Sequence, residues 1–593
     1  MKRPALLFTA PLLTALLLAP AIPAAAQTPD FPARVKDIIE SHAHLPADAL
    51  PRAGYGTIAA KLALKEDPEL CSRRMIELLD DVRGDMFWMF PVTAIAYLDQ
   101  GQLTDEARRK LREAWRTYMP YRGDTENHWL LYYTSLYLYS QLYPDDPAET
   151  WYTGKSSAES RAEAEEYIFD WMNLTATLGQ GEYDCTHYIG VYLLPLSYLA
   201  AWSENPVMRE RATRMMEWIM ADFAVESLDG VYVGAHARTD DKQVVEKWDG
   251  VSSDFAWLLF GQGYPHRPYP AFYALLYSLA SAYEPPQIIQ RIATDRSKPY
   301  LHKELKRTRH RWRFTDVRNA PVYKTTYMSK DYAVGSDQGG ILQPIQQHSW
   351  DVTWALDDPR GVRNTIFSMH PYSGNYELQM YFPPMLDAFL EAVVRSKTTY
   401  DSPDKLLGGS PFEKIFQDQD TVIALYDIPE SEKFPHINGF FPDGLEALVE
   451  HESGWIFAHA SNAYVAYRPL APYEWKPIEK GGRRLYSPSR RNGTILQAAS
   501  ASEFASFEEF QRKITALPLE FALEPVPTVR FRSLRGHELA FTYGRTPSAD
   551  GRPLDYAGWK SFEGPFLNAD AQGRKLTLTH GGQRRVLDFT DLP

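Results

Sequence analysis

Asp124-Thr125-Glu126-Asn127-His128-Trp129 opens an apolar, aromatic run over residues 130–143, and how that stretch folds decides the fold of the chain. Asp124 or Thr125 can cap a helix start, and the run behind them is long enough for a helix enclosed on all sides. Asn127 and His128 then stand in its first turn. There, unpaired backbone N–H groups and the helix dipole add to the side-chain donors, which suits the stabilisation of an oxyanion. The same two residues can equally well do no more than cap and brace the helix.

The flanking chain repeats the pattern in two alternating textures. Residues 104–121, 158–175 and 206–226 are charge-rich and amphipathic, whereas 84–98, 126–143 and 186–202 are almost wholly apolar or aromatic. Helices that are apolar all round must be enclosed, and their alternation with amphipathic ones from residue 68 to about 286 predicts an (α/α) toroid. Its inner helices would line a cavity and its outer ones would face water. After residue 287 the texture changes. Residues 297–313 carry Lys303, Lys306, Arg307, Arg309, Arg311 and Arg313 and read as a solvated connector. Beyond Phe314, short alternating runs such as 322–328, 350–356, 421–426, 454–467 and 528–543 predict a large antiparallel β domain, with a helical insert at 502–515.

The N-terminus reads as a secretory signal peptide over residues 1–26: Lys2 and Arg3, an apolar run, then Ala24-Ala25-Ala26. The expected organisation is therefore a signal peptide, a toroid over 27–313 and a β domain over 314–593, placed in the periplasm or secreted. No other run reaches the length of a membrane span. The formal charge of −13 argues against a nucleic-acid partner, while a local basic cleft would still admit an anionic substrate. Cys71 and Cys185 are the only cysteines and form no disulfide framework or zinc pattern.

Four further clusters carry candidate chemistry. In 181–188, Tyr188 shares a helix face with Tyr192, so two phenols can enter one cavity, although aromatic core packing accounts for Tyr192 as well. In Gly234-Ala235-His236-Ala237-Arg238-Thr239, a His and an Arg two residues apart in a glycine-containing loop suit carboxylate binding or proton transfer. His348 and Trp350 would share one strand face and could form a sugar platform. His370-Pro371-Tyr372 with Asn375-Tyr376 is the fourth cluster. No ligand spacing supports a metal on His348 and His370, so neither metal nor cofactor is expected. P-loop, dinucleotide and nucleophile-elbow motifs are missing from the sequence.

Together, Thr125-Glu126-Asn127-His128-Trp129, the Glu182-to-Tyr188 turn, the Gly234-to-Arg238 loop and a following β domain resemble polysaccharide lyases of the heparinase II/III and alginate-lyase type. The resemblance implies an α+β chain in which an (α/α) toroid joins an antiparallel β-sandwich, and β-elimination on a uronic-acid polysaccharide. It also implies roles. Asn127 and Arg238 would clamp the uronate carboxylate, His236 or His128 would take the C5 proton, and Tyr188 would act as acid or as a shared acid and base. Trp129, Glu182, Tyr183, Tyr192, His348 and Trp350 would contact the sugar. Two other classes stay open: a glycoside hydrolase drawing a carboxylate pair from Glu182, Asp184, Asp240 and Asp241, and a non-catalytic glycan-binding protein.

Overall fold

The computed structural model describes residues 29–591, except 46–49, 81–85, 118–124, 265–271, 281–282, 309–319, 341–345, 373–400 and 479–480. The signal segment, Asp124, Arg309, Arg311, Arg313 and Asn375-Tyr376 lie outside the described residues. Helices fill the chain from Phe31 to Thr294, and large antiparallel sheets follow from Tyr300.

The enclosed helices form as their composition requires. Glu126–Leu142 is buried along nearly its whole length and packs on Met86–Leu98, Ser157–Leu178 and Ile189–Trp202. Its Trp129 stacks on Tyr133 and Tyr167. Amphipathic neighbours start at conventional caps: a Ser156/Glu159 capping box opens Ser157–Leu178, and Asn205 followed by Pro206 opens Pro206–Val225. A row of apolar helices runs Leu50–Leu64, Met86–Leu98, Glu126–Leu142, Ile189–Trp202 and Phe272–Ala280. Each packs on the next, and the last packs back on the first.

One correction falls inside this half. A hairpin of Ser227–Leu228 with Val231–Tyr232 interrupts the helices. Its turn is Asp229-Gly230, both at positive φ (49° and 89°), the Asp-Gly pair that two-residue hairpins favour.

The first sheet has twelve strands and the second has six, with every pairing antiparallel. Alternation builds the layers. Val422, Ala424 and Tyr426 face a core shared with Val352, Ile366 and Phe367 of the large sheet, while Ile423 and Leu425 face Phe510, Val529 and Phe541 on the other side. The segments 454–467 and 528–543 are each a hairpin, Ile456–Ala460 with Ala463–Pro469 and Thr528–Arg532 with Glu538–Thr542. The insert is the helix Phe507–Thr515.

The basic segment after residue 297 is not a solvated connector. Tyr300–Arg307 is a strand inside the twelve-stranded sheet, and Lys306 and Arg307 are buried. Lys306 reaches Asp184, Asp222 and Glu304, and Arg307 reaches Glu126 at 2.6 Å. Charges this dense stay buried because partners from the helical half neutralise them. Among the described residues, no helix is long and apolar enough to cross a membrane.

Candidate active site

Two buried glutamates, Glu126 and Glu182, tie the helix that opens at Glu126 to the turn at 181–188. Glu126 is fully buried. It accepts from the backbone of Gly181 and Glu182 (3.0 and 2.8 Å), from the Trp171 indole (3.0 Å) and from Arg307. Glu182, equally buried, accepts from Asn127 N (3.0 Å), Asn127 Nδ2 (2.7 Å), Tyr192 Oη (2.9 Å) and Arg238 (2.8 Å). The helix start does hold an anion, as its dipole and open N–H groups favour, but that anion is the protein's own Glu182 carboxylate. Thr125 occupies the N-cap position without a side-chain capping bond.

Arg238 joins this knot to Tyr188. Its guanidinium carbon sits 4.6 Å from the centre of the Tyr188 ring, and its remaining nitrogens make no hydrogen bond among the described residues. Tyr188 ends the turn just before the helix Ile189–Trp202 and keeps 9% of its surface exposed. Burial pushes its phenol pKa up against the opposing pull of Arg238, so the group is a held proton. Phe87 packs edge-on against the half-buried His128 ring at 5.3 Å and stacks on Tyr188 at 6.3 Å. His187, missed as a candidate, packs between Tyr188 (5.4 Å) and Tyr273 (5.9 Å); its place in the Thr186-His187-Tyr188 turn was the available signal. The structure thus gathers Asn127, Glu182, Tyr192, Arg238 and Tyr188 in one cluster, to which His128 is joined through Phe87.

His236 does not join them. Its loop docks on the sheet half as a strand would, with His236 N donating to His348 O and His348 N to His236 O, both at 2.9 Å. The ring is 1% exposed, with Nδ1 bonded to Asp184 O (2.6 Å) and Nε2 to Lys247 Nζ (3.1 Å). Since the ammonium can only donate, Nε2 accepts and Nδ1–H donates to the carbonyl. Burial first, then Lys247, hold the ring neutral with its pKa well below the usual range. Both nitrogens are committed, so His236 cannot serve as the base.

The sugar platform is also corrected. His348 is buried on Asp351 (2.8 Å), and Trp350 lies in the core with its indole towards Glu413 (3.3 Å). Trp129 is stacked inside the helical core, and Tyr183 donates to Asp337 across the junction at 2.7 Å. None of these four presents a face to a ligand. Glu182 and Tyr192 reach the site as braces for Asn127 and Arg238. His370 is bonded to Ser410 and to the Phe434 carbonyl, which leaves no pairing with His348. Cys71 and Cys185 are buried free thiols; burial pushes Cys185 up to about 12, so it is inert.

Three of the four carboxylates a hydrolase could draw on are engaged elsewhere, and the fourth, Asp241, is exposed in the first turn of a short helix. Glu182 pairs with Arg238, Asp184 with Lys324 and the Tyr232 hydroxyl, and Asp240 caps the helix Asp241–Val245. In comparisons with models of known families and with curated proteins, nothing matches this chain.

Proposed function

We propose that the protein is a polysaccharide lyase that cleaves a uronic-acid polysaccharide by β-elimination at the wall formed by His128, Tyr188 and Arg238, with the helical half arranged as an (α/α) toroid. The closed row of apolar helices supports the toroid. The observation that carries the function is the guanidinium laid on the Tyr188 ring and held by Glu182: a cation with unused donors beside a protonated phenol.

In this reading Arg238 receives the uronate carboxylate and withdraws charge, which makes the C5 proton removable as an enolate-like charge forms. His128 takes that proton. Tyr188, its pKa raised by burial, is better suited to donate to the departing O4 than to act as base, because little phenolate exists at neutral pH. Asn127 acts by fixing Glu182, and through it Arg238. Export through the N-terminal signal would bring the enzyme to an extracellular or periplasmic polymer.

The test is ultraviolet absorbance of the unsaturated product, for wild type and Tyr188→Phe, on alginate, glucuronan, ulvan and glycosaminoglycans. Wild type should generate the absorbance on one of them, and Tyr188→Phe should lose about 100-fold or more in turnover while still binding. An undiminished variant would remove Tyr188 from the chemistry. No absorbance on any uronate would reject the lyase.

A further inference from the structure

We infer that Asp222, His302 and Glu304 form a binding site for a divalent cation of the zinc type, at the seam between the last long helix of the helical half and the first strand of the sheet half. His302, Glu304 and Lys306 lie on one face of the strand Tyr300–Arg307 by the two-residue period, and Asp222 meets them from Pro206–Val225. The three side chains offer ligand atoms that all lie within 4.8 Å of one another, and all three are buried.

Two independent observations point to a ligand there. The first is His302 itself: it is fully buried, yet neither ring nitrogen makes a hydrogen bond. The ring stacks on Phe562 at 6.0 Å, and Nε2 stands 3.9 Å from Glu304 Oε1. Asp222 Oδ1 is likewise without a partner, while its other oxygen is held by Lys306. Buried polar atoms are normally satisfied, so an unpartnered imidazole whose ligand atom lies within 4.8 Å of those of Asp222 and Glu304 calls for a missing electrophile.

The second observation is charge. Among the described residues, Asp184, Asp222, Glu226 and Glu304 converge on two ammoniums, Lys306 and Lys324. A divalent ion held by Asp222, His302 and Glu304 would balance the remaining two negative charges. One neutral imidazole with two carboxylates suits zinc or manganese better than calcium or magnesium, which prefer all-oxygen shells. Tetrahedral bonds of about 2.1 Å place ligand atoms about 3.4 Å apart, so side-chain shifts of up to about 1 Å close the shell. Lys306, 2.7 Å from Glu304 Oε2, and Lys324, 3.1 Å from Oε1, then act as outer donors that orient the ligands.

The test is a zinc titration of the EDTA-treated full-length protein by calorimetry, followed by desalting, metal analysis and a thermal melt. The expected result is one zinc retained per chain and a raised Tm. His302→Ala and Asp222→Asn should lose retention, whereas His44→Ala, at an exposed histidine, should keep it. If His302→Ala fails to fold, X-ray absorption of the zinc-loaded wild type decides the matter. A shell with one imidazole and oxygen ligands supports the site, and several imidazoles or any sulfur overturns it. Failure of the wild type to retain zinc, or retention unchanged in both ligand variants, would also overturn it.

Discussion

Glu182 shows why a site residue can matter without touching a substrate. Its carboxylate is fully buried and spans Asn127, Tyr192 and Arg238. Glu182→Gln keeps the shape but leaves a mostly buried guanidinium with a neutral partner, so stability should fall by about 3 kcal/mol, read as a lower urea midpoint. kcat/KM on the substrate found by the absorbance assay should fall with it. Arg238→Lys tests the other end of the pair. An ammonium can answer Glu182 or a substrate carboxylate but lacks the planar fork that serves both, so kcat/KM should drop about 10- to 100-fold with the fold intact. Unchanged kinetics would place Arg238 outside the site.

At the scale of elements, the loop that carries His236 and Arg238 depends on a close backbone approach. A Cβ on Gly335 would stand 2.4 Å from Gly234 Cα, and Gly234 itself adopts φ 87°. Gly335→Ala must therefore push the loop away from the sheet. We expect a loss of about 1–3 kcal/mol in thermal or urea unfolding, together with reduced turnover, because Arg238 moves with the loop. This docking also shows where reading the sequence succeeds and where it stops. The enclosed helices were legible because their composition excludes an exposed face, and Asn127 and Tyr188 stood out as polar groups at the starts of such helices. Asp229-Gly230 signalled the hairpin and could have been read. The strand at 300–307 could not be recognised from its own residues: three lysine and arginine side chains in eight look solvated unless Asp184, Asp222 and Glu126, distant in sequence, are known to face them. His236 was misjudged for the same reason, since its burial comes from pairing with residues 346–348, and Trp129 and Trp350 because pattern alone does not separate a core aromatic from a sugar platform.

Two buried carboxyls give the fold a pH dependence whose sign is set above pH about 6.5, where imidazoles are neutral in the unfolded chain as well. Burial raises the Asp337 carboxyl to about 7, against the Tyr183 hydrogen bond and Lys324, and raises Glu413 to about 8, against bonds from Tyr426 and Trp350. Both titrate near 4 in an unfolded chain, so the fold binds more protons between those values. That contribution is fully present below pH about 4 and is lost as pH climbs through 7 and 8. With EDTA present, the urea midpoint should fall between pH 6.5 and 8.5 by an amount equivalent to about 2 kcal/mol, and Asp337→Asn with Glu413→Gln should flatten the slope. The paired backbones of His236 and His348 have a kinetic consequence as well. Helices can form from neighbours in the chain, but this seam joins segments that four helices and three strands of the described residues separate, so its closure bears a large loop entropy and comes late. The junction of helices and sheets is thus the part of the molecule that acquires its shape last, and a chain arrested before that moment would be richly helical and largely collapsed, with the loop of His236 and Arg238 still undocked.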